Sequence, residues 1–375
     1  MDSNNKPPTQ FFFPLLVFLL CLPLSLLSLQ REQTQSSVLR GADTRLSYAM
    51  SALKEEVLDG LTRIRKIYRL PHDALAPAPA PEGFRLVRSA EEMLEIFDSA
   101  SLLLDGREPI FRADTSFAED RGIRCYCDES ILALVWYQKQ VDALGENTVM
   151  TVAEVFLSDA SQFRRKLSDD VFGAGAHKFP TDMALSVNAV LASSGDFYRF
   201  RPVGFCVFEG ELCRLDADKV DTCAIDRNGD LLFIPAGTIT EEESAKAFIA
   251  EHGVDFTLSF GPIMIENHAP IYNQRYYLGE ANRNYQRCCI AQDGPLHYLI
   301  AVTEGCMSVS GLTERMMELG VERCYALDGG QSGTIVMEGT ALNPSVYGKG
   351  NGAQRAQSDI IYFASAIPGS ERSHS

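Results

Sequence analysis

Tyr325-Ala326-Leu327-Asp328-Gly329-Gly330-Gln331-Ser332-Gly333-Thr334-Ile335-Val336 decides how the rest of the chain is read. An apolar run ends on an acidic residue, two glycines and small hydroxyl residues follow, and a second apolar run begins. The pattern predicts a strand on either side of a tight turn. A carboxylate is thereby delivered to a place where backbone can approach a ligand closely.

Working outward, short apolar runs bounded by turn residues predict further strands. They cover Leu132–Tyr137, Thr148–Phe156, Gly204–Phe208, Glu211–Leu215, Thr222–Ile225, Leu231–Ile234, Leu296–Thr303, Cys324–Leu327, Thr334–Met337 and Asp359–Ala364. Asp226-Arg227-Asn228-Gly229-Asp230 joins two of these and lacks the distal Glu of a calcium loop, so it reads as a hairpin turn. Helices are expected from Ala90 to Leu104, from Thr181 to about Ser193, and after Thr240-Glu241-Glu242-Glu243, a capping box whose helix Gly253 closes. Thr313 is expected to cap another, ending at Leu319 before Gly320. The fold class is α+β, a mixed or antiparallel sheet core with flanking helices.

The N-terminal part reads differently. Phe11 to Leu29 carries no charge and is bounded by Lys6 and Arg31. As a helix it would span roughly 28 Å, close to a bilayer's hydrocarbon core. It is either a signal anchor or a signal peptide, and the poor small-x-small site at Leu27-Ser28-Leu29 favours a retained anchor. Leu46, Met50, Leu53, Val57, Leu61, Ile64 and Ile67 recur at helical spacing, which predicts a stalk and hints at a homo-oligomer through it. The Pro/Ala run that follows predicts an extended, semi-rigid linker. The expected organisation is therefore 1–30 anchor or signal peptide, 31–70 helical stalk, 71–82 linker, 83–130 small extension, 131–366 catalytic domain and 367–375 polar tail. The protein is expected to be membrane-anchored with an extracytoplasmic domain, or secreted.

The chain has 375 residues, 46% of them hydrophobic, and a formal net charge of -16. That charge argues against general nucleic-acid binding, which needs a basic footprint. Of the ten cysteines, Cys206 and Cys213 flank Glu209-Gly210 and would face each other across a regular hairpin, as a disulfide or as two buried thiols. Cys125-x-Cys127 has no matching Cys or His cluster, so no metal site is expected there. Cys288 and Cys289 are expected on opposite faces of one strand.

Four further segments share the grammar of the opening stretch or complete it: Ala192-Ser193-Ser194-Gly195-Asp196-Phe197-Tyr198, Leu258-Ser259-Phe260-Gly261-Pro262-Ile263-Met264-Ile265, Gln286-Arg287-Cys288-Cys289-Ile290-Ala291-Gln292, and Arg355-Ala356-Gln357-Ser358-Asp359-Ile360-Ile361. In this order and spacing, over roughly 130–366, the five resemble the phosphodiester glycosidase family. That family includes the enzyme that removes N-acetylglucosamine from a phosphodiester-capped mannose. Ser194 stands where the family usually has Asn, Gln286 where it often has Pro, and Ala291 where it often has Gly.

The resemblance implies hydrolysis of a sugar-1-phosphodiester, here in an envelope polysaccharide or glycoconjugate, with no cofactor evident and a divalent cation not ruled out by the sequence. Cleavage at the anomeric carbon develops oxocarbenium character that carboxylates serve. Asp328 and Asp196 are the catalytic candidates. Phosphate is already a good leaving group, so charge stabilisation by planar guanidinium groups matters more. Arg287 and Arg355 are the phosphate candidates. Ser332, Gly329, Gly330, Ser194 and Gly195 are expected to supply side-chain and backbone contacts to substrate. Glu280 and Glu304 are weaker options for a second carboxylate. A sugar or sugar-phosphate transferase in exopolysaccharide assembly, and a non-catalytic glycan-binding or wall-binding module, are the alternative functions.

Overall fold

The computed structural model describes residues 66–112, 118–173, 177–271, 283–344 and 355–368. The expected anchor at 11–29, most of the stalk and most of the tail lie outside these residues. Among the described residues no helix is long and apolar enough to cross a membrane.

Two large antiparallel sheets dominate. The first has nine strands in the order β1 (Phe84–Val87), β2 (Ile123–Cys127), β3 (Ile131–Val141), β4 (Asn147–Leu157), β15 (His297–Thr303), β14 (Cys288–Gln292), β16 (Arg323–Leu327), β12 (Ile263–Glu266) and β13 (Ala269–Pro270). The second has five: β18 (Thr340–Ala341), β17 (Ile335–Met337), β6 (Ala189–Ser194), β19 (Asp359–Ala364) and β5 (Phe163–Leu167). A three-stranded sheet, β10 (Leu231–Ile234), β9 (Thr222–Ile225) and β11 (Phe256–Leu258), and the hairpin β7 (Gly204–Phe208) and β8 (Glu211–Asp216) complete the set. The strand pairings are antiparallel throughout the named sheets.

Strand periodicity sorts the core into layers, because successive side chains point to opposite faces. On β3, Leu132, Leu134 and Trp136 pack with the helices α1 (Ala90–Ser99), α2 (Ser101–Leu104) and α5 (Val309–Glu318). Ile131, Ala133 and Val135 of the same strand pack with β5, β6, β17 and β19. Cys288 and Cys289 divide between these two cores as the sequence predicts. α3 (Pro180–Ser186) covers the far side of the five-stranded sheet through Met183 and Ala184. α4 (Glu242–His252) packs on the hairpin and the three-stranded sheet through Ala245.

Several local expectations are corrected. The helix expected from Thr181 to Ser193 stops at Ser186, and β6 starts at Ala189. Asn188 takes a left-handed conformation (φ 55°), which few side chains other than Asn and Asp adopt at low cost. The Thr240 capping box does not form: Glu241 occupies the N-cap without a side-chain bond, although Gly253 does close the helix at φ 63°. Ser308, not Thr313, caps α5 by accepting from Gly311 N, while Thr313 Oγ1 donates to Val309 O. The hairpin turn at Glu209-Gly210 forms with both residues at positive φ. A bulge then shifts the register, so Cys206 pairs with Arg214 and not Cys213. Cys206 is buried, Cys213 is exposed, and both are free thiols.

Residues 66–70, expected as the last turn of the stalk, carry no helix. With the Pro/Ala run they lie against the domain as a strap. Arg164 donates to Ala74 O at 2.7 Å and Pro71 O at 2.6 Å, Asn188 to Ala76 O at 2.8 Å, and Leu70 N to Ser161 Oγ at 2.9 Å. Leu70, Ala76 and Ala80 are buried. Residues from the expected 83–130 extension supply β1 and β2 to the nine-stranded sheet.

Candidate functional site

The Asp328 turn forms beside the core shared by the two large sheets. β16 of the nine-stranded sheet delivers Asp328, and β6 of the five-stranded sheet delivers Ser194-Gly195-Asp196. The two ends are tied directly. Asp328 N donates to Gly195 O at 3.5 Å, and Ser194 Oγ donates to Asp328 O at 3.3 Å. Gly329 is required by close approach: a Cβ there would sit 2.5 Å from Gln286 O. Gly330 N donates to that same carbonyl at 2.6 Å, with the residue left-handed at φ 58°. A short 3-10 turn, Gly330–Ser332, then returns the Ser332 hydroxyl to the Asp328 carboxylate.

Beneath this turn lies a buried charged network. Arg165 points inward from β5 and pairs with Asp359 of β19, Nε to Oδ2 at 2.8 Å. It also donates to Thr257 O at 2.6 Å and lies 5.1 Å over the Tyr198 ring. Asp359 in turn accepts from Asp196 N at 3.0 Å and fills the space under Gly195, where a Cβ would meet it at 2.2 Å. Burial pushes the Asp359 carboxyl up to about 6, with Arg165 opposing. Asp196 spends both carboxylate oxygens on backbone, accepting from Phe197 N and Ser259 N at 2.6 Å each. That arrangement holds the 195–197 loop to the end of β11.

The cations distribute unevenly. Arg355 lies over the rings of Phe197 and Phe200. Arg201, absent from the sequence candidates, lies over Phe197 and Phe260 and donates to Phe260 O at 3.2 Å. The positive charges of both act on Asp328. Arg287 neighbours the turn through its backbone, 3.3 Å from where a Gly329 Cβ would be. Its guanidinium goes elsewhere, to Met307 O at 2.9 Å and Arg283 O at 2.5 Å.

Asp328 is the half-buried carboxylate of the group. Desolvation pushes it up to about 7, with Asp196 adding to the rise, while Ser332, Arg355 and Arg201 pull it down. A carboxylate poised near neutrality beside cations is a common property of acid-base and nucleophilic sites. Ser332 is buried, and its carbonyl accepts from Gln357 Nε2 at 2.7 Å.

All five sequence segments therefore meet here. Asp328, Asp196, Ser194, Gly195, Gly329, Gly330, Ser332 and Arg355 are brought together, and Arg287 contributes backbone. Glu304 is elsewhere, paired with Arg121 at 2.6 Å, and Glu280 lies outside the described residues. Sequence reading missed Arg165, Arg201 and Asp359 as members. The signal for Arg201 was the interleaving of Phe197, Tyr198, Phe200 with two arginines. Among the described residues no group of three or more His, Cys, Asp or Glu side chains is placed to hold a metal ion.

Comparison with known proteins agrees with this architecture. The structure is similar to the zebrafish N-acetylglucosamine-1-phosphodiester alpha-N-acetylglucosaminidase catalytic domain, auto-inhibited by its pro-peptide, at 13% identity and TM-score 0.52, over 63% of this chain and 84% of that one. A hypothetical protein from Synechocystis is similar at 13% identity and TM-score 0.43, over 63% and 62% of the two chains. A putative exported protein from Burkholderia pseudomallei K96243 follows at 12% and TM-score 0.42, over 59% and 75%. No curated protein matches the chain. Residues 187–364, which hold Asp196, Arg201, Arg287, Asp328, Ser332, Arg355 and Asp359, match the phosphodiester glycosidase family model.

Proposed function

We propose that the protein hydrolyses the bond between an anomeric carbon and the oxygen of a phosphodiester. The observation that carries this reading is Asp328: a carboxylate raised to about 7, bonded by Ser332 and facing the charges of Arg201 and Arg355. Water adds to the anomeric carbon and releases one proton to solvent, while the carbon–oxygen bond to phosphate breaks and its bonding pair leaves with the phosphomonoester dianion. Asp328, ionised, serves the attack at that carbon. The departing phosphate needs charge stabilisation more than a proton, which the arginines supply. Asp196 holds the loop on which this geometry depends.

The proposed substrate is an envelope polysaccharide or glycoconjugate, reached by a domain outside the cytoplasm. That location rests on the uncharged run at 11–29. The test is release of free sugar and phosphomonoester from a panel of sugar-1-phosphodiesters, with and without chelator, by the wild type and Asp328→Asn. Wild-type turnover that the substitution abolishes is the expected result. Turnover undiminished in Asp328→Asn would sink the assignment.

A further inference from the structure

We propose that Arg201 and Arg355 form an anion-binding pair beside Asp328 that holds the substrate phosphate and selects phosphodiester-linked over neutral glycosides. The proposal rests on the glycosidase reading above and assigns the phosphate to residues other than Arg287.

Both guanidiniums lie 5.9 Å from the centroid of the same ring, Phe197, so they are no more than twice that distance apart. Phe197 itself follows Gly195 by two residues, and Gly195 O is bonded to Asp328 N. The ring that both guanidiniums share thus sits two residues from a backbone bond to Asp328. Arg201 is only 6% exposed, and its Nε has no hydrogen-bond partner among the described residues. Its amino groups reach the Phe260 carbonyl at 3.2 and 3.3 Å and the Ser259 carbonyl at 3.4 Å, which orients the plane. Aromatic faces hold a guanidinium without consuming a donor. A buried arginine with a spare donor, set on rings and not on a carboxylate, is arranged for an anion that comes and goes.

Charge balance points the same way. Three carboxylates, Asp196, Asp328 and Asp359, meet three guanidiniums, Arg165, Arg201 and Arg355. Arg165 and backbone N–H groups hold Asp196 and Asp359. Arg201 and Arg355 remain for Asp328. A phosphodiester monoanion beside an ionised Asp328 is repelled unless two cations offset the two charges. Arg287 is spent on the Met307 and Arg283 carbonyls and the Tyr285 ring.

The test has two arms on the full chain. The first titrates inorganic phosphate by phosphorus NMR into wild type, Arg201→Gln, Arg201→Lys and Arg355→Gln, with thermal melts as the folding check. Loss of about tenfold in phosphate affinity is expected for each Gln variant, with partial rescue by Arg201→Lys. The second follows the Asp328 carboxyl by carbon NMR, whose titration midpoint should move up in Arg201→Gln, a change that a purely structural role would not produce in a folded protein. Equal phosphate affinity in wild type and a folded Arg201→Gln, or an unmoved Asp328 midpoint, overturns the proposal. If Arg201→Gln fails to fold, unchanged phosphate affinity in Arg355→Gln overturns it. Phosphate binding without turnover of any sugar-1-phosphodiester leaves the anion pair standing and removes the glycosidase reading.

Discussion

Ser259 donates its backbone N–H to Asp196 Oδ2 at 2.6 Å, across sixty-three residues of sequence. The contact makes Asp196 a brace between β6 and β11. Asp196→Ala leaves the buried N–H of Ser259 and the part-buried N–H of Phe197 without their acceptor, and should cost about 2–3 kcal/mol of stability. Urea unfolding measures this. A loss below about 1 kcal/mol would show that the brace is dispensable.

Asp328 gives the pH profile its sign. The proposed hydrolysis uses Asp328 as an ionised carboxylate, and burial raises that group to about 7. The value of kcat/KM should therefore rise with pH through about 7 and level off above it. A profile falling over that range would make Asp328 an acid.

The adjacent glycines of the turn separate crowding from backbone conformation. Gly329→Ala drives a methyl to 2.5 Å from Gln286 O and 3.3 Å from Arg287 Cα, both backbone atoms that cannot rotate away. It should cost about 3 kcal/mol or more and abolish activity. Gly330→Ala meets nothing within 4 Å but must hold φ near 58°, so about 1 kcal/mol is expected. Thermal melts of the pair decide it, and equal losses would mean the turn is not seated as described.

Arg164 fastens the strap. Arg164→Ala removes two bonds to the Pro71 and Ala74 carbonyls. Native-state trypsin cleavage after Arg69 should accelerate roughly tenfold, because local opening governs cutting. Unchanged cleavage would mean the buried Leu70 and Ala76 side chains suffice.

Much of the fold was legible because its strands are apolar and bounded by turn residues, as at Thr222–Ile225 and Asp359–Ala364, where observed and expected limits coincide. β6 was misread because Val187, Val190 and Leu191 repeat at helical spacing, and only the left-handed Asn188 breaks the pattern. β5 was missed because Arg165 occupies an inward position where alternation calls for an apolar residue. Its partner, Asp359, is 194 residues away, and no local pattern announces such a pairing. The same applies to the site. The five segments were visible as motifs, but the direction taken by the Arg287 guanidinium depends on carbonyls that folding brings there. Arg201 needed the rings of Phe197 and Phe260 in place before its nearness to Asp328 could be seen.

β19 lies between β6 and β5, although it is the last strand in the chain. Until it inserts, β6 and β5 have no common partner, Arg165 lacks its counter-ion, and Gly195 has nothing beneath it. During synthesis the chain must therefore keep two open sheet edges apart while some two hundred residues are added between β5 and β19. Such distant pairings form slowly and leave unpaired edges exposed. The pocket is therefore incomplete until the last strand is in place, because Asp359 on β19 supplies both the counter-ion of Arg165 and the floor beneath Gly195.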